Sequence, residues 1–160
     1  MTTTDALFDL NGRVAVLTGA GGVLVGAMAR ALGSRGVRVV VADRSAERGR
    51  EVADAIIAAG GQALAVTVDV LNHDSVHAAT EQVVAHYGRI DILVNGAGGN
   101  RPDATTSPDR TFFDLPPEAL RSVMDLNLMG TILPSQVIGR VMARQGEGTI
   151  LNISSMNAFR

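Results

Sequence analysis

Short apolar, β-branched runs alternate along this chain with longer segments whose apolar residues recur at helical spacing. Residues 13–18, 37–42, 63–68, 90–95 and 149–154 are predicted strands, each a nearly continuous apolar run. Continuous rather than alternating apolarity is expected of parallel strands buried on both faces. Between them, residues 23–34, 46–59, 74–87 and 117–144 carry helical patterns. Ser45 and the Asn72–Asp74 stretch are the residue types that start helices, while Gly36, Gly60, Gly61, Gly88 and Gly146 punctuate the ends. Strand, helix, strand repeated four times predicts right-handed crossovers and an α/β fold, a doubly wound parallel sheet with helices on both faces. The long irregular piece, residues 96–116, is rich in Gly, Thr, Asp and Pro; a loop of that length is more often functional than ornamental.

The chemistry begins where the first strand ends. Thr18-Gly19-Ala20-Gly21-Gly22 leads into Val23 and Leu24 at the start of a helix. A glycine-rich strand-to-helix turn lets backbone approach a pyrophosphate, whose charge then sits at the helix N-terminus. Read without further support, such a turn needs only φ > 0. Asp43 strengthens the ligand reading: it ends the second strand, 24 residues after Gly19, where a carboxylate can accept from both hydroxyls of a ribose. A carboxylate there repels a 2′-phosphate and favours NAD over NADP. Arg44 follows it and could pair with that phosphate, so NADP stays open, as does a plain solvated arginine.

At 160 residues the chain suits one domain, expected to be a single Rossmann-type NAD(P)-binding unit. Fourteen basic against sixteen acidic residues give a net charge of −2, which offers no drive towards a nucleic-acid backbone. Cysteine is absent, which excludes thiolate chemistry and disulfides. Residues 1–10 hold Asp5 and Asp9 and lack the basic and apolar regions of a targeting segment. The charge-free stretch 14–29 holds four glycines and falls short of the about 20 apolar residues of a membrane span. A cytoplasmic protein with no membrane partner is expected. His73 and His77 have the i, i+4 spacing that suits a metal, but with no obvious third ligand the expectation is surface histidines and no metal.

Four stations in order resemble the short-chain dehydrogenase/reductase family: Thr18-Gly19, Asp69-Val70, Asn95-Gly96-Ala97-Gly98 and Asn152-Ile153-Ser154-Ser155. Each follows or ends a strand, where open α/β sheets bind ligands. The resemblance implies an oxidoreductase that interconverts an alcohol and a carbonyl by hydride transfer, on a small-molecule substrate. It implies that Asp69 bonds the adenine amino group beside the Val70 backbone, and that Asn95 with its glycines shapes the turn near the adenosine ribose. Asn127 matches the helix asparagine that holds a proton-relay water, and Ser155 the serine that bonds the reacting oxygen. An asparagine amid Leu126, Leu128 and Met129 is expected to be buried and in need of partners. The run Gly98-Gly99-Asn100-Arg101-Pro102, followed by Thr105-Thr106, and the stretch Ser155-Met156-Asn157-Ala158-Phe159 together resemble the mannonate or fructuronate oxidoreductase branch, with Arg101 and Asn157 as substrate residues and Arg101 holding a carboxylate. The family also implies a homo-oligomer, and the charge-free run 126–139 in the fourth helical pattern is expected to bury two faces.

Two departures stand out. The last two glycines of the family turn fall here on Val23 and Val25, and a β-branched side chain at Val25 is expected to crowd the phosphate. The family's Tyr-x-x-x-Lys acid/base pair follows shortly beyond the serine; here there is no lysine, and Tyr87 is the single tyrosine. The chain is therefore expected to be the N-terminal part of such an enzyme, able to bind cofactor without its catalytic base. The rival readings are a non-catalytic dinucleotide-binding module and an S-adenosylmethionine-dependent methyltransferase.

Overall fold

The computed structural model describes residues 8–155. Five parallel strands, β1 (Val14–Thr18), β2 (Arg38–Asp43), β3 (Gln62–Thr67), β4 (Ile92–Asn95) and β5 (Thr149–Asn152), lie in the order β3-β2-β1-β4-β5. The chain winds outwards from β1 to β3, then returns to place β4 on the other side of β1. That reversal opens a crevice at the C-terminal ends of β1 and β4, the place where doubly wound sheets take ligands.

Helices α1 (Val23–Gly33), α2 (Ala46–Ala58), α3 (His73–Tyr87), α4 (Pro117–Met124) and α5 (Gly130–Gln145) cover the sheet. Alternate strand residues feed two apolar layers. Leu17, Val39, Val41 and Val94 pack with Val25, Val52 and Ile56 of α1 and α2. Val16, Val40 and Leu93 pack with Val76, Val83 and Ile138 of α3 and α5. Ser45 and Asn72 cap α2 and α3 by accepting from the Arg48 and Ser75 amides, and Gly88 and Gly146 end α3 and α5 in the left-handed conformation.

The structure differs from the expected pattern in three places. The fourth helical segment is not continuous: a π-helical turn, Asp125–Met129, separates α4 from α5. Its cause is Asn127, whose amide donates to the Val123 carbonyl at 2.8 Å and competes with the regular backbone ladder. Strand β4 starts two residues late, because the Ile90 amide and carbonyl are both taken by the Gln145 side chain. Strand β5, at the sheet edge beside β4, is exposed along its whole length, whereas the other edge strand, β3, is partly buried.

At the opposite end of the sheet an ionic cluster joins the residues that lead into β1 and β4 to Glu147, two residues past the end of α5. Asp91, 4% exposed, accepts from the Val14 amide at 2.8 Å and pairs with Arg89 and Arg13, which also reach Glu147. Burial pushes the Asp91 carboxyl up, but the Arg89 fork, the Val14 amide and Arg13 outweigh it and hold it below the ordinary carboxylate value. A carboxyl depressed by folding stabilises the fold above its ordinary value and loses that contribution as pH falls through the depressed one. Asp91→Asn is expected to lower stability by about 1–3 kcal/mol at neutral pH and to flatten the acid limb of a stability–pH profile measured by denaturant titration. An unchanged acid limb would remove Asp91 from the account.

Candidate functional site

The turn after β1 is built by close backbone approach. Gly19 takes φ +70°, and a Cβ there would stand 2.8 Å from the Ala97 Cα. The Thr18 hydroxyl, buried, accepts from the Gly96 and Ala97 amides at 3.1 and 3.2 Å. Thr18 therefore spends its side chain on joining the two ligand-edge turns. Gly22 is the N-cap of α1 and brings no side-chain cap, and the first turn holds no acid, so the helix N-terminus is left to a ligand. Val23 and Leu24 lie exposed beside it.

Val25 does not crowd this space. It is 4% exposed and points into the α1–α2 layer, where a Cβ on Gly96 would meet its Cγ2 at 2.4 Å. The departure from the glycine pattern is thus absorbed by the core, with Gly96 making the room.

Asp43 closes the turn from the other side. Its Oδ2 accepts from the Gly21 amide and its Oδ1 from the Ser45 amide, both at 2.9 Å, while Arg48 Nη2 stands 3.6 Å away. Each carboxylate oxygen has a further lone pair, so the acid that holds the turn can still accept from a ribose. Sequence reasoning missed Arg48; the signal was its place in the first turn of α2, immediately after the strand that carries Asp43.

A cleft of about 440 Å³ opens here, bounded by Gly19, the start of α1 from Gly22, Asp43–Arg44 with Arg48, Val68–Leu71, Gly96–Gly98 and Leu126. Asp69 sits at its rim with Oδ1 on the Leu71 amide, and Val70 is buried below. The arrangement fits a dinucleotide: amide donors at a helix end for phosphates, glycines where a Cβ would fill the cradle, and a carboxylate facing the sugar end. A larger groove of about 920 Å³ lies between α3 and α5, beside His73, His77 and Arg140. It has no such turn, and its histidines face Asp74 and Glu81 at 3.6 and 3.5 Å.

Asn95 is buried and ties β4 to its neighbours. Its Nδ2 donates to Ser135 Oγ and Asn152 Oδ1, both at 2.9 Å, and its Oδ1 is the buried side-chain oxygen without a partner among the described residues. Asn127, expected to be buried, is exposed instead. Its Oδ1 accepts from the Gly99 amide at 3.1 Å and its Nδ2 donates to the Gly99 carbonyl at 2.7 Å. The side chain thus clamps the start of the long loop to the π turn, which meets the need for partners without burial.

Ser155 lies exposed past β5 at the same sheet edge. Asn157 lies outside the described residues. Arg101 does not face the cleft open-handed: its guanidinium forks onto Asp103 at 2.9 and 2.8 Å within the loop. Tyr87 is far from the chemistry. It ends α3, which leads into the N-terminal end of β4; burial raises its phenol and the Arg38 charge partly offsets this. No helix among the described residues is long and apolar enough to cross a membrane.

Comparison with known proteins gives the same picture. The family described as short chain dehydrogenase matches residues 13–160. An uncharacterized oxidoreductase, UxuB, of Bacillus subtilis (strain 168) is 41% identical over 159 residues, covering 94% of this chain and 57% of that protein. The 7alpha-hydroxysteroid dehydrogenase of Escherichia coli (strain K12) is 34% identical, over 93% of this chain and 55% of its own length. Among solved structures, a protein provisionally described as a D-mannonate oxidoreductase from Haemophilus influenza, with bound NAD, superposes with a TM-score of 0.87 at 36% identity, covering 98% of this chain and 60% of that one. This chain spans a little over half the length of the curated relatives it matches. With the glycine turn, the Asp43 corner and the strand order all in place and a family match along nearly its whole length, the chain belongs to the short-chain dehydrogenase family.

Proposed function

We propose that this chain carries the dinucleotide-binding half of an NAD-preferring oxidoreductase that interconverts an alcohol and a carbonyl, with a sugar acid as the substrate. The observation that carries the reading is the uncapped N-terminus of α1 above the Gly19 turn, with Asp43 held at the mouth of the same cleft. The nicotinamide, when bound, supplies the hydride. Thr18, Gly19, Gly21, Gly22, Val23 and Leu24 form the phosphate cradle. Asp43 receives the ribose hydroxyls, Asp69 and Val70 hold the adenine, and Asn95, Gly96, Ala97 and Gly98 wall the opposite side. Ser155 orients the reacting oxygen by hydrogen bonding, and Asn127, which also holds Gly99 at the start of the long loop, supports the proton relay.

The sugar-acid reading is supported by likeness to the Haemophilus protein described as a D-mannonate oxidoreductase and by Arg101, whose fork already receives a carboxylate, that of Asp103. Leu120, Met124 and Leu128 are exposed on successive turns, and Ile150 and Leu151 of the edge strand are exposed as well. Exposed apolar surface of this kind fits a homo-oligomer of the full-length protein.

Among these 160 residues there is no lysine, and Tyr87 is at the wrong end of the sheet, which also favours a binding role for this chain taken alone. General acid–base help is worth roughly 10²–10⁴ in rate, so the isolated chain is expected to bind NADH with no turnover above background. Absorbance at 340 nm with NAD and D-mannonate tests this. Turnover that Ser155→Ala abolishes would show that another base serves the site and would overturn the proposed roles.

A further inference from the structure

We propose that Arg48 sets the cofactor choice of this cleft: its guanidinium offsets the Asp43 charge and makes the adenosine end tolerant of a 2′-phosphate. The inference rests on the dinucleotide reading above and names a determinant within that site. Arg48 Nη2 stands 3.6 Å from Asp43 Oδ1. Its stem lies along the glycine turn, for a Cβ on Gly21 would come within 2.8 Å of Arg48 Cβ and 2.9 Å of Asp43 Cγ. Turn backbone, carboxylate and guanidinium therefore form one stack at the cleft wall, and Arg44 lines the same wall.

The two charges are held very differently. Asp43 is 7% exposed and fixed by the Gly21 and Ser45 amides, whereas the Arg48 side chain is 60% exposed and makes only the longer contact. Losing Arg48 leaves the turn and the ribose acceptor in place. A carboxylate alone would repel a 2′-phosphate, but a cation 3.6 Å away offsets part of that repulsion. The exposed guanidinium can also turn to fork onto the phosphate, which the fixed carboxylate cannot prevent.

The test is a titration of NADH and of NADPH into the purified chain, read by nicotinamide fluorescence at two salt concentrations, with no turnover required. Arg48→Met keeps the stem and removes the charge. Its NADPH dissociation constant is expected to rise on the order of 10-fold while that for NADH stays within about 2-fold. The steeper salt dependence of NADPH binding should disappear in the variant, and Arg48→Lys should restore part of both. Equal weakening of both dinucleotides, no change in either, or a wild-type chain that binds NADH but excludes NADPH would overturn the proposal. Binding of neither dinucleotide by the folded wild-type chain would instead overturn the dinucleotide reading, and this proposal with it.

Discussion

Asp43→Ala is expected to weaken NADH binding by on the order of 10²-fold, about 3 kcal/mol, and NADPH binding by less. Two losses combine. The Gly21 and Ser45 amides lose their acceptor, so the glycine turn that faces either cofactor loosens. The ribose hydroxyls lose theirs too, but a 2′-phosphate also escapes the repulsion of the carboxylate. Calorimetric titration of both cofactors separates the two effects. Equal losses would mean that Asp43 builds the turn without reading the sugar, and no loss would remove it from the site.

Gly19→Ala is expected to be the most damaging single-methyl change at the ligand edge, at about 2–4 kcal/mol of stability. The residue combines φ +70° with a Cβ position 2.8 Å from the Ala97 Cα, 2.9 Å from its amide nitrogen and 3.0 Å from the Gly96 carbonyl oxygen, all of them backbone. Nothing flexible can give way. Gly60 supplies the control, with φ +85° and no atom within 4 Å of its added Cβ. Gly60→Ala carries the conformational strain alone, roughly 1–2 kcal/mol. Denaturant unfolding of the two variants therefore isolates the clash, and equal destabilisation would show that the Gly19 turn opens without resistance.

Much of the fold was legible because buried parallel strands leave an unmistakable apolar run, and glycine and cap residues mark the ends of the helices between them. The failures share a cause. Asn127 was read as buried because its neighbours in sequence are apolar, yet its amide reaches across 28 residues to Gly99, a partner that no local pattern announces. The same side chain, through its bond to the Val123 carbonyl, turns a helix that is continuous in sequence into two helices and a π turn. Val25 was expected to obstruct the phosphate site because the family turn has glycine there; only the packing against Gly96 reveals that the side chain faces the core. Strand β5 reads as buried from its composition, and its exposure depends on what lies beside it in space. Within the site, spacing points to Gly19 and Asp43 and the motif stations to Asn95 and Asn152, while Arg48 beside Asp43 and Ser135 beside Asn95 depend on tertiary neighbours.

The central claim is that the Gly19 turn and Asp43 hold a dinucleotide, and NADH fluorescence titration of the purified 160-residue chain tests it most directly. The account expects saturable one-to-one binding, displaced by NAD and lost in Asp43→Ala while circular dichroism reports an intact fold. A folded chain with no saturable NADH binding, or with binding indifferent to Asp43→Ala, would contradict it.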